Sequence, residues 1–168
     1  MKKYGKGLRM MNRTEFCKCV NQYRNQLYMV AHAILRNETD AEDAVCSAIL
    51  KGYEHREQLK NSHKFKAWML TITKNEALKV YKKRLDLPGD EEVERLLPPA
   101  QDSHHELWDI VQELKEEYRL VIVLFYYNDL SIRNISDILS VPIGTVKSRL
   151  NRGRELLRKA LEEEKGEN

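Results

Sequence analysis

Residues 131 to 158 read Ser131-Ile-Arg-Asn-Ile-Ser-Asp-Ile-Leu-Ser-Val-Pro-Ile-Gly-Thr-Val-Lys-Ser-Arg-Leu-Asn-Arg-Gly-Arg-Glu-Leu-Leu-Arg158. Ser131 can cap a short helix in which Ile135, Ile138 and Leu139 recur at the three- and four-residue spacing of one helical face. Ser140-Val141-Pro142 supplies a turn, because proline disfavours a helical residue before it yet fits a first helical turn. A second helix therefore begins near Pro142. On it, Val146, Leu150, Gly153 and Leu157 share a stripe, while Thr145, Lys147, Ser148, Arg149, Asn151, Arg152 and Arg154 occupy the remainder. Two short amphipathic helices joined by such a turn are a helix-turn-helix, and the cationic second helix points to DNA. A solvated cationic helix would carry the same charge, but turn, proline and two apolar stripes coincide with it here.

A recognition helix lies in the major groove with its early residues nearest the base edges. Ser148, Asn151 and Arg152 are the expected base readers, since Asn and Arg can make bidentate contacts to purine edges. Lys147, Arg149 and Arg154 suit phosphates, which fix register and give salt-dependent affinity without reading sequence.

Working outward, the chain has 168 residues, of which 42% are hydrophobic, enough for one compact domain or two small ones. Its longest apolar run, Leu120 to Tyr127, is eight residues, against the roughly 20 that cross a bilayer. The basic start, Met1-Lys-Lys-Tyr-Gly-Lys6, lacks the apolar core of a signal peptide, so the expectation is a cytoplasmic protein without membrane contact. Cys17, Cys19 and Cys46 cannot all pair and are read as free thiols; Cys17 and Cys19, two apart on a helix, make a poor metal clamp. No metal or cofactor is expected.

Charge divides the chain. Residues 1 to 88 carry 18 Lys/Arg against 9 Asp/Glu, residues 89 to 108 carry 1 against 6, and residues 109 to 168 carry 10 against 11, giving +9, −5 and −1. The acidic middle holds Gly89, Pro98, Pro99 and the adjacent His104 and His105 with little apolar periodicity, and reads as a linker over residues 89–106. Residues 163–168 form an acidic tail, and residues 1–13 a basic extension with no assigned role.

Upstream of the linker, Phe16, Val20, Tyr23, Leu27, Val30 and Ile34 mark an amphipathic helix from about Thr14, its expected cap, to Arg36. Asn37 or Thr39 can cap a second helix with Val45, Ile49 and Tyr53 on one face. After a polar loop over 55–61, a third helix from about His63 to Arg84 carries Phe65, Met69, Ile72, Ala77 and Tyr81. Lys64, Lys66, Lys74, Lys79, Lys82, Lys83 and Arg84, interleaved with Phe65, Trp68 and Tyr81, combine a cationic track with aromatic faces, as a single-strand binding surface needs. The aromatics could equally be core. Downstream, Leu107, Ile110, Val111 and Leu114 are helically spaced, and the run over 120–127 is a buried helix, because a lone strand would have nothing to pair with. The expected fold is all-α: two small helical domains, over 14–88 and 107–162, joined by a flexible linker, the second one a helix-turn-helix.

Three stretches in this order resemble the bacterial sigma factors, specifically the extracytoplasmic-function (ECF) group. They are Asp40-Ala-Glu-Asp-Ala-Val45, Phe65-Lys-Ala-Trp-Met-Leu-Thr-Ile-Thr-Lys-Asn-Glu-Ala77, and Leu130-Ser-Ile-Arg-Asn-Ile-Ser-Asp-Ile-Leu139 followed by Val141-Pro-Ile-Gly-Thr-Val-Lys-Ser-Arg-Leu150. The resemblance spans nearly all of residues 14 to 160. It implies that Asp40, Glu42, Asp43, Ser47 and Leu50 dock on the clamp of core RNA polymerase. It implies that His55, Arg56, Lys64, Lys66, Trp68, Lys74, Asn75, Lys79, Lys82, Lys83 and Arg84 capture the melted minus 10 promoter element. Arg133 and Thr145 would join Lys147, Ser148, Arg149, Asn151, Arg152 and Arg154 on the minus 35 element. An anti-sigma protein is implied as a further partner, and no catalysis by the chain itself. Cys46, Ser47-Ala-Ile-Leu50 and Gly52-Tyr53 depart from the family pattern, all on the docking helix.

Two other readings compete. A sensory regulator with a helix-turn-helix output would need a ligand-binding N-terminal half, yet that half shows no βα pattern and carries +9. A metal-dependent nuclease would need more than Asp40, Glu42 and Asp43: Glu42 is off the face shared by the other two, and no second carboxylate cluster completes a two-metal site.

Overall fold

The computed structural model describes residues 11–85 and 106–166, and the side chains of 107–163 in the second stretch. The expected linker apart from Glu106, most of the basic extension, and residues 167–168 of the expected acidic tail lie outside the described residues; residues 163–166 of that tail instead continue the last helix.

Helix α1 spans Arg13–Leu35 and α2 spans Glu38–Glu54. Single 3-10 turns at Arg56–Gln58 and Ser62–Lys64 lead into α3, Phe65–Leu85. The second half holds α4 (Glu106–Glu113), α5 (Glu116–Ile122) with a π-helical continuation over Val123–Tyr127, α6 (Ile132–Leu139) and α7 (Ile143–Gly166). All regular structure among the described residues is helical, as the periodicity predicts.

The cap of α1 differs from expectation. Asn12, not Thr14, is the N-cap: its side chain accepts from the Glu15 amide at 2.9 Å while the Glu15 carboxylate accepts from the Asn12 amide at 3.2 Å. This reciprocal box satisfies two amide donors that the first turn leaves free, and contributes about 1 kcal/mol. Met11, just before it, is 4% exposed, so the last residues of the basic extension belong to the fold. Asn37 caps α2 by accepting from the Asp40 amide at 2.9 Å.

In the first half, α1, α2 and α3 pack on one another around Phe16, Leu27, Phe65, Met69 and Leu70, each at most 2% exposed. Gly52 leaves room for Met69 at the α2–α3 crossing: a Cβ there would stand 2.5 Å from the Met69 sulfur and the thioether would have to shift. Glu76 then ties the pair electrostatically, accepting from Lys51 at 2.7 Å and Lys79 at 2.9 Å. Burial alone would raise its pKa; the two ammonium groups outweigh that and hold the carboxyl below its ordinary range.

The second half is built on α5 against α7, with α4 and α6 flanking. Gly153 lies where α7 crosses α5: a Cβ would fall 2.9 Å from Ile122 Cγ1. Buried Val146 and Leu150 complete the inward stripe of α7.

The two halves are not separate bodies in this structure. Buried apolar side chains of both form one contiguous cluster, with α1 against α5 and its π segment, and α3 against α6. The C-terminal third of α1 is buried almost all round: Val30, Ala31, Ala33, Ile34 and Leu35 are at most 3% exposed. Polar ties cross the same seam. Arg119 on α5, 5% exposed, donates Nε–H to the Ala33 carbonyl at 2.6 Å and Nη1–H to the Gln112 and Leu114 carbonyls of its own half at 2.6 and 2.8 Å. Lys66 donates to the Asn128 carbonyl, and Lys74 to that of Ile138 at 2.8 Å. His32 on α1 meets the Trp108 ring of α4 at 6.0 Å.

Candidate nucleic-acid interface

In the helix-turn-helix, the local chemistry follows the sequence closely. Ser131 caps α6 by accepting from the Asn134 amide at 3.2 Å. Ser140 takes the left-handed conformation, φ 55°, that ends α6, and the Ser136 hydroxyl donates to the Val141 carbonyl at 2.5 Å. That bond closes the turn and sets the angle between the helices. Ile135, Ile138, Val146 and Leu150 are buried between them.

Along α7, Gly144, Lys147, Ser148, Asn151 and Arg152 are all exposed, at the three- and four-residue spacing of one face. The other cations near this face are restrained. Arg149 is partly buried and pairs with Glu117 at 3.2 Å. Arg154 donates Nε–H to the Tyr126 hydroxyl at 2.9 Å, and its guanidinium lies 5.5 Å from the Phe125 ring centroid. Arg152 is engaged only with Glu155, one turn on at 3.0 Å, an exposed pair that contributes little. Arg133 is exposed on α6, and Thr145 is half-buried, its carbonyl accepting from Ser148 at 3.0 Å.

On the first half, α3 divides its cations between two directions. Lys64, Asn75, Lys79, Lys82 and Lys83 are exposed. Lys66 and Lys74 instead turn toward the second half, and burial lowers the pKa of both, for Lys66 against an opposing pull from Asp129. Arg84 pairs with Asp40 at 3.0 Å, joining a residue expected on DNA to one expected on polymerase. Of the aromatics, Phe65 is core at 1% exposure, packed edge-on to Phe16, and offers no stacking face; Trp68 and Tyr81 are half-buried and keep part of theirs. In the loop after α2, His55 is exposed beside Gln58, while Arg56 folds back to donate to the Tyr53 carbonyl at 2.7 Å and lies 4.3 Å over the Tyr53 ring.

On α2, Glu42, Asp43 and Ser47 are exposed and Leu50 is 61% exposed, a large apolar side chain set beside acids. Asp40 is half-buried and held by Arg84.

Sequence reasoning missed the residues that hold others in place. Glu117 and Tyr126 fix Arg149 and Arg154, Glu76 fixes Lys51 and Lys79, and Arg119 fixes the two halves. Glu76, the one acid on so basic a helix, carried a visible signal; Arg119 beside a long apolar run carried another.

Similarity to known proteins follows the same division. The family model described as Sigma-70 region 2 matches residues 19–85, and Sigma-70, region 4 matches residues 104–157. The ECF RNA polymerase sigma factor SigW of Bacillus subtilis is 32% identical over 96% of this chain and 96% of its own length. RNA polymerase sigma factor SigV of the same organism is 28% identical, covering 87% and 90% respectively. The fold matches that of the sigma factor RpoE of Bartonella quintana, solved with the anti-sigma factor NepR, at a TM-score of 0.72, 24% identity and coverage of 89% and 98%. It also matches CnrH, solved with the cytosolic domain of CnrY, at a TM-score of 0.65, 22% identity and coverage of 90% of each chain. With region 2 on the α1–α3 half, region 4 on the helix-turn-helix half, and a relative similar end to end, the chain belongs to the ECF group of RNA polymerase sigma factors.

Proposed function

We propose that this sigma factor reads the minus 35 element through the outward face of α7, with Ser148, Asn151 and Arg152 on the bases and Lys147 on phosphate, and captures the melted minus 10 strand on α3. The observation that carries the reading is the sorting of cations on α7. Those on the reading face are open to solvent, while Arg149 and Arg154 are held by Glu117 and Tyr126 at the flanks, where phosphates would lie. Arg133 and Thr145 add contacts beside that face. On α3, Lys64, Asn75, Lys79, Lys82 and Lys83 follow the strand backbone, with Lys66, Lys74 and Arg84 joining when released. Trp68 supplies the stacking surface, and His55 and Arg56 flank the strand from the loop.

Glu42, Asp43, Ser47 and Leu50 are the docking patch for core polymerase, Asp40 contributing from its edge. An apolar anchor ringed by polar groups is the composition of an interface centre. The domains run over 14–88 and 107–162. The chain itself catalyses nothing: strand separation, costing a few kcal/mol, is offset by stacking and phosphate contacts. It works in the cytoplasm, where polymerase and promoters are. An anti-sigma protein holds it inactive, a reading supported by the two similar folds solved with such partners or with a cytosolic domain.

Run-off transcription with core polymerase tests the function. Addition of this chain should start transcripts at a defined set of promoters, and sequencing their 5′ ends would name the elements read. A chain that cleaves DNA with magnesium, or binds promoter DNA without ever conferring initiation, would overturn the reading.

A further inference from the structure

Two residues at the head of α7 stand outside the chain's own packing. Ile143 is 45% exposed and belongs neither to the buried apolar cluster nor to the partly buried side chains packed against it. Gly144 lies in ordinary helical backbone, and a Cβ added there would meet nothing within 4 Å. Gly52 and Gly153 differ, since Met69 and Ile122 fill the space that a side chain would take. Alanine is the better helix former, so neither conformation nor packing within the protein calls for glycine at 144. At about 100° per residue, Gly144 falls in the middle of the outward face, about 20° from Asn151, about 40° from Ser148 and about 60° from Lys147. The barest point of α7 is thus the centre of its exposed polar face, at the leading end.

We propose that Ile143 reads the 5-methyl group of a thymine in the minus 35 element, and that Gly144 lacks a side chain so that α7 can sink far enough into the major groove to make that contact. The inference rests on the reading of α7 as the minus 35 surface and adds an apolar reader to Ser148, Asn151 and Arg152. An isoleucine side chain neither donates nor accepts a hydrogen bond, and the thymine methyl is the one apolar group that the four bases present in the major groove. Helix side chains lean toward the N-terminus, so a residue in the first position projects ahead of its own turn, where a recognition helix meets base edges. Beside it, a Cβ at 144 would stand between the helix backbone and the groove floor and hold the whole helix off by about the length of a carbon–carbon bond. Ser148 and Asn151, one and two turns further along the same face, would lose reach with it. Depth of entry and thymine recognition are therefore set together by two adjacent residues.

The test uses the full chain assembled with core polymerase on a promoter found by run-off, and replaces each minus 35 thymine in turn by deoxyuridine, which removes only the methyl. Competition between labelled promoters reads relative affinity. The wild type should lose about fourfold at one position, as the loss of one buried carbon group predicts. Ile143→Ala should bind the thymine promoter more weakly and be indifferent to the replacement there, and Ile143→Val should regain part of the sensitivity. Gly144→Ala should melt no lower than the wild type yet bind the promoter at least about tenfold more weakly. A wild type insensitive at every thymine overturns the proposal, and that scan needs no variant to fold. So does an Ile143→Ala chain that keeps the full sensitivity, a Gly144→Ala chain that binds as tightly as the wild type, or an Ile143→Ala chain impaired only in assembly with core polymerase. Arg152→Ala separates this failure from that of the underlying reading. If it alone alters minus 35 discrimination, only the thymine contact falls; if none of the three substitutions alters it, the assignment of α7 falls too.

Discussion

Helix α7 and helix α3 are both long and basic, and both are proposed to meet promoter DNA, yet they keep their cations in opposite ways. On α7, Arg149 and Arg154 are restrained by Glu117 and Tyr126, both from the same half. On α3, Lys66 and Lys74 are restrained by carbonyls of the other half. Under the proposed function, the surface for intact duplex is complete within its own half, whereas the surface for the opened strand shares two of its lysines with the neighbouring half.

The sharpest way to break this contrast is through the core beneath each surface. Phe65→Ala should destabilise the fold by about 3–5 kcal/mol, since the ring is fully buried against Phe16 and Tyr23, and urea unfolding would measure it. If that variant instead keeps its stability and loses only strand binding, Phe65 is a stacking residue and the packing described for α3 is wrong. Trp68→Ala should show the reverse balance, losing about 1–3 kcal/mol of single-strand affinity with a smaller stability cost.

On α7 the effects should separate by role. Arg152→Ala should cost about 1–3 kcal/mol at one base-pair position of the minus 35 element and relax the preference there, whereas Lys147→Ala should weaken all sequences alike and lower the salt slope by about one. Equal behaviour of the two in a binding titration across point-substituted promoters would erase the distinction between reader and phosphate contact.

A pH titration probes the seam. Burial holds the His32 pKa below the ordinary imidazole value of 6.5, against an opposing pull from Gln112 and Glu38 and with Arg119 and Arg36 adding to the depression. The folded state therefore binds fewer protons than the unfolded one, and stability is full above about 6.5, falls as pH drops through the window down to the depressed value, and levels off below it. Urea unfolding from about pH 7.5 to about pH 5 should show this decline, and His32→Asn should flatten it. The smallest change expected is from Glu117→Gln, an exposed partner of Arg149, at under about 1 kcal/mol in stability, with a slight gain in non-specific DNA binding as the arginine is freed.

The helix-turn-helix was legible because every signal for it is local: a serine cap, a proline after the turn, and apolar residues whose spacing alone fixes the buried face. Threonine's preference for caps points to Thr14 as the start of α1, but of the two only Asn12 has a glutamate three residues on to close the box. Phe65 read as either stacking ring or core, since periodicity cannot distinguish an exposed ring beside lysines from a buried one. The union of the halves was harder, because spacing reports one face of a helix at a time. Its trace lies in Met29-Val-Ala-His-Ala-Ile-Leu35, too apolar around its whole circumference for a helix covered on one side. The separation into two charged domains invited a picture of independent modules, and charge says nothing about which apolar surfaces meet.

Gly153 bears on the aim of α7. A Cβ there would fall 2.9 Å from Ile122 Cγ1 of α5, and the position lies about ten residues, hence roughly 15 Å, from the start of that helix. With that residue as fulcrum, a tilt of about 5° would swing the leading end by about an ångström, Ser148 by roughly half that and Asn151 by only about 0.3 Å, so hydrogen-bond geometry would suffer most in the first turn. One absent methyl, on the face packed against α5, thus calibrates which rung of the ladder each outward side chain would meet under the proposed function.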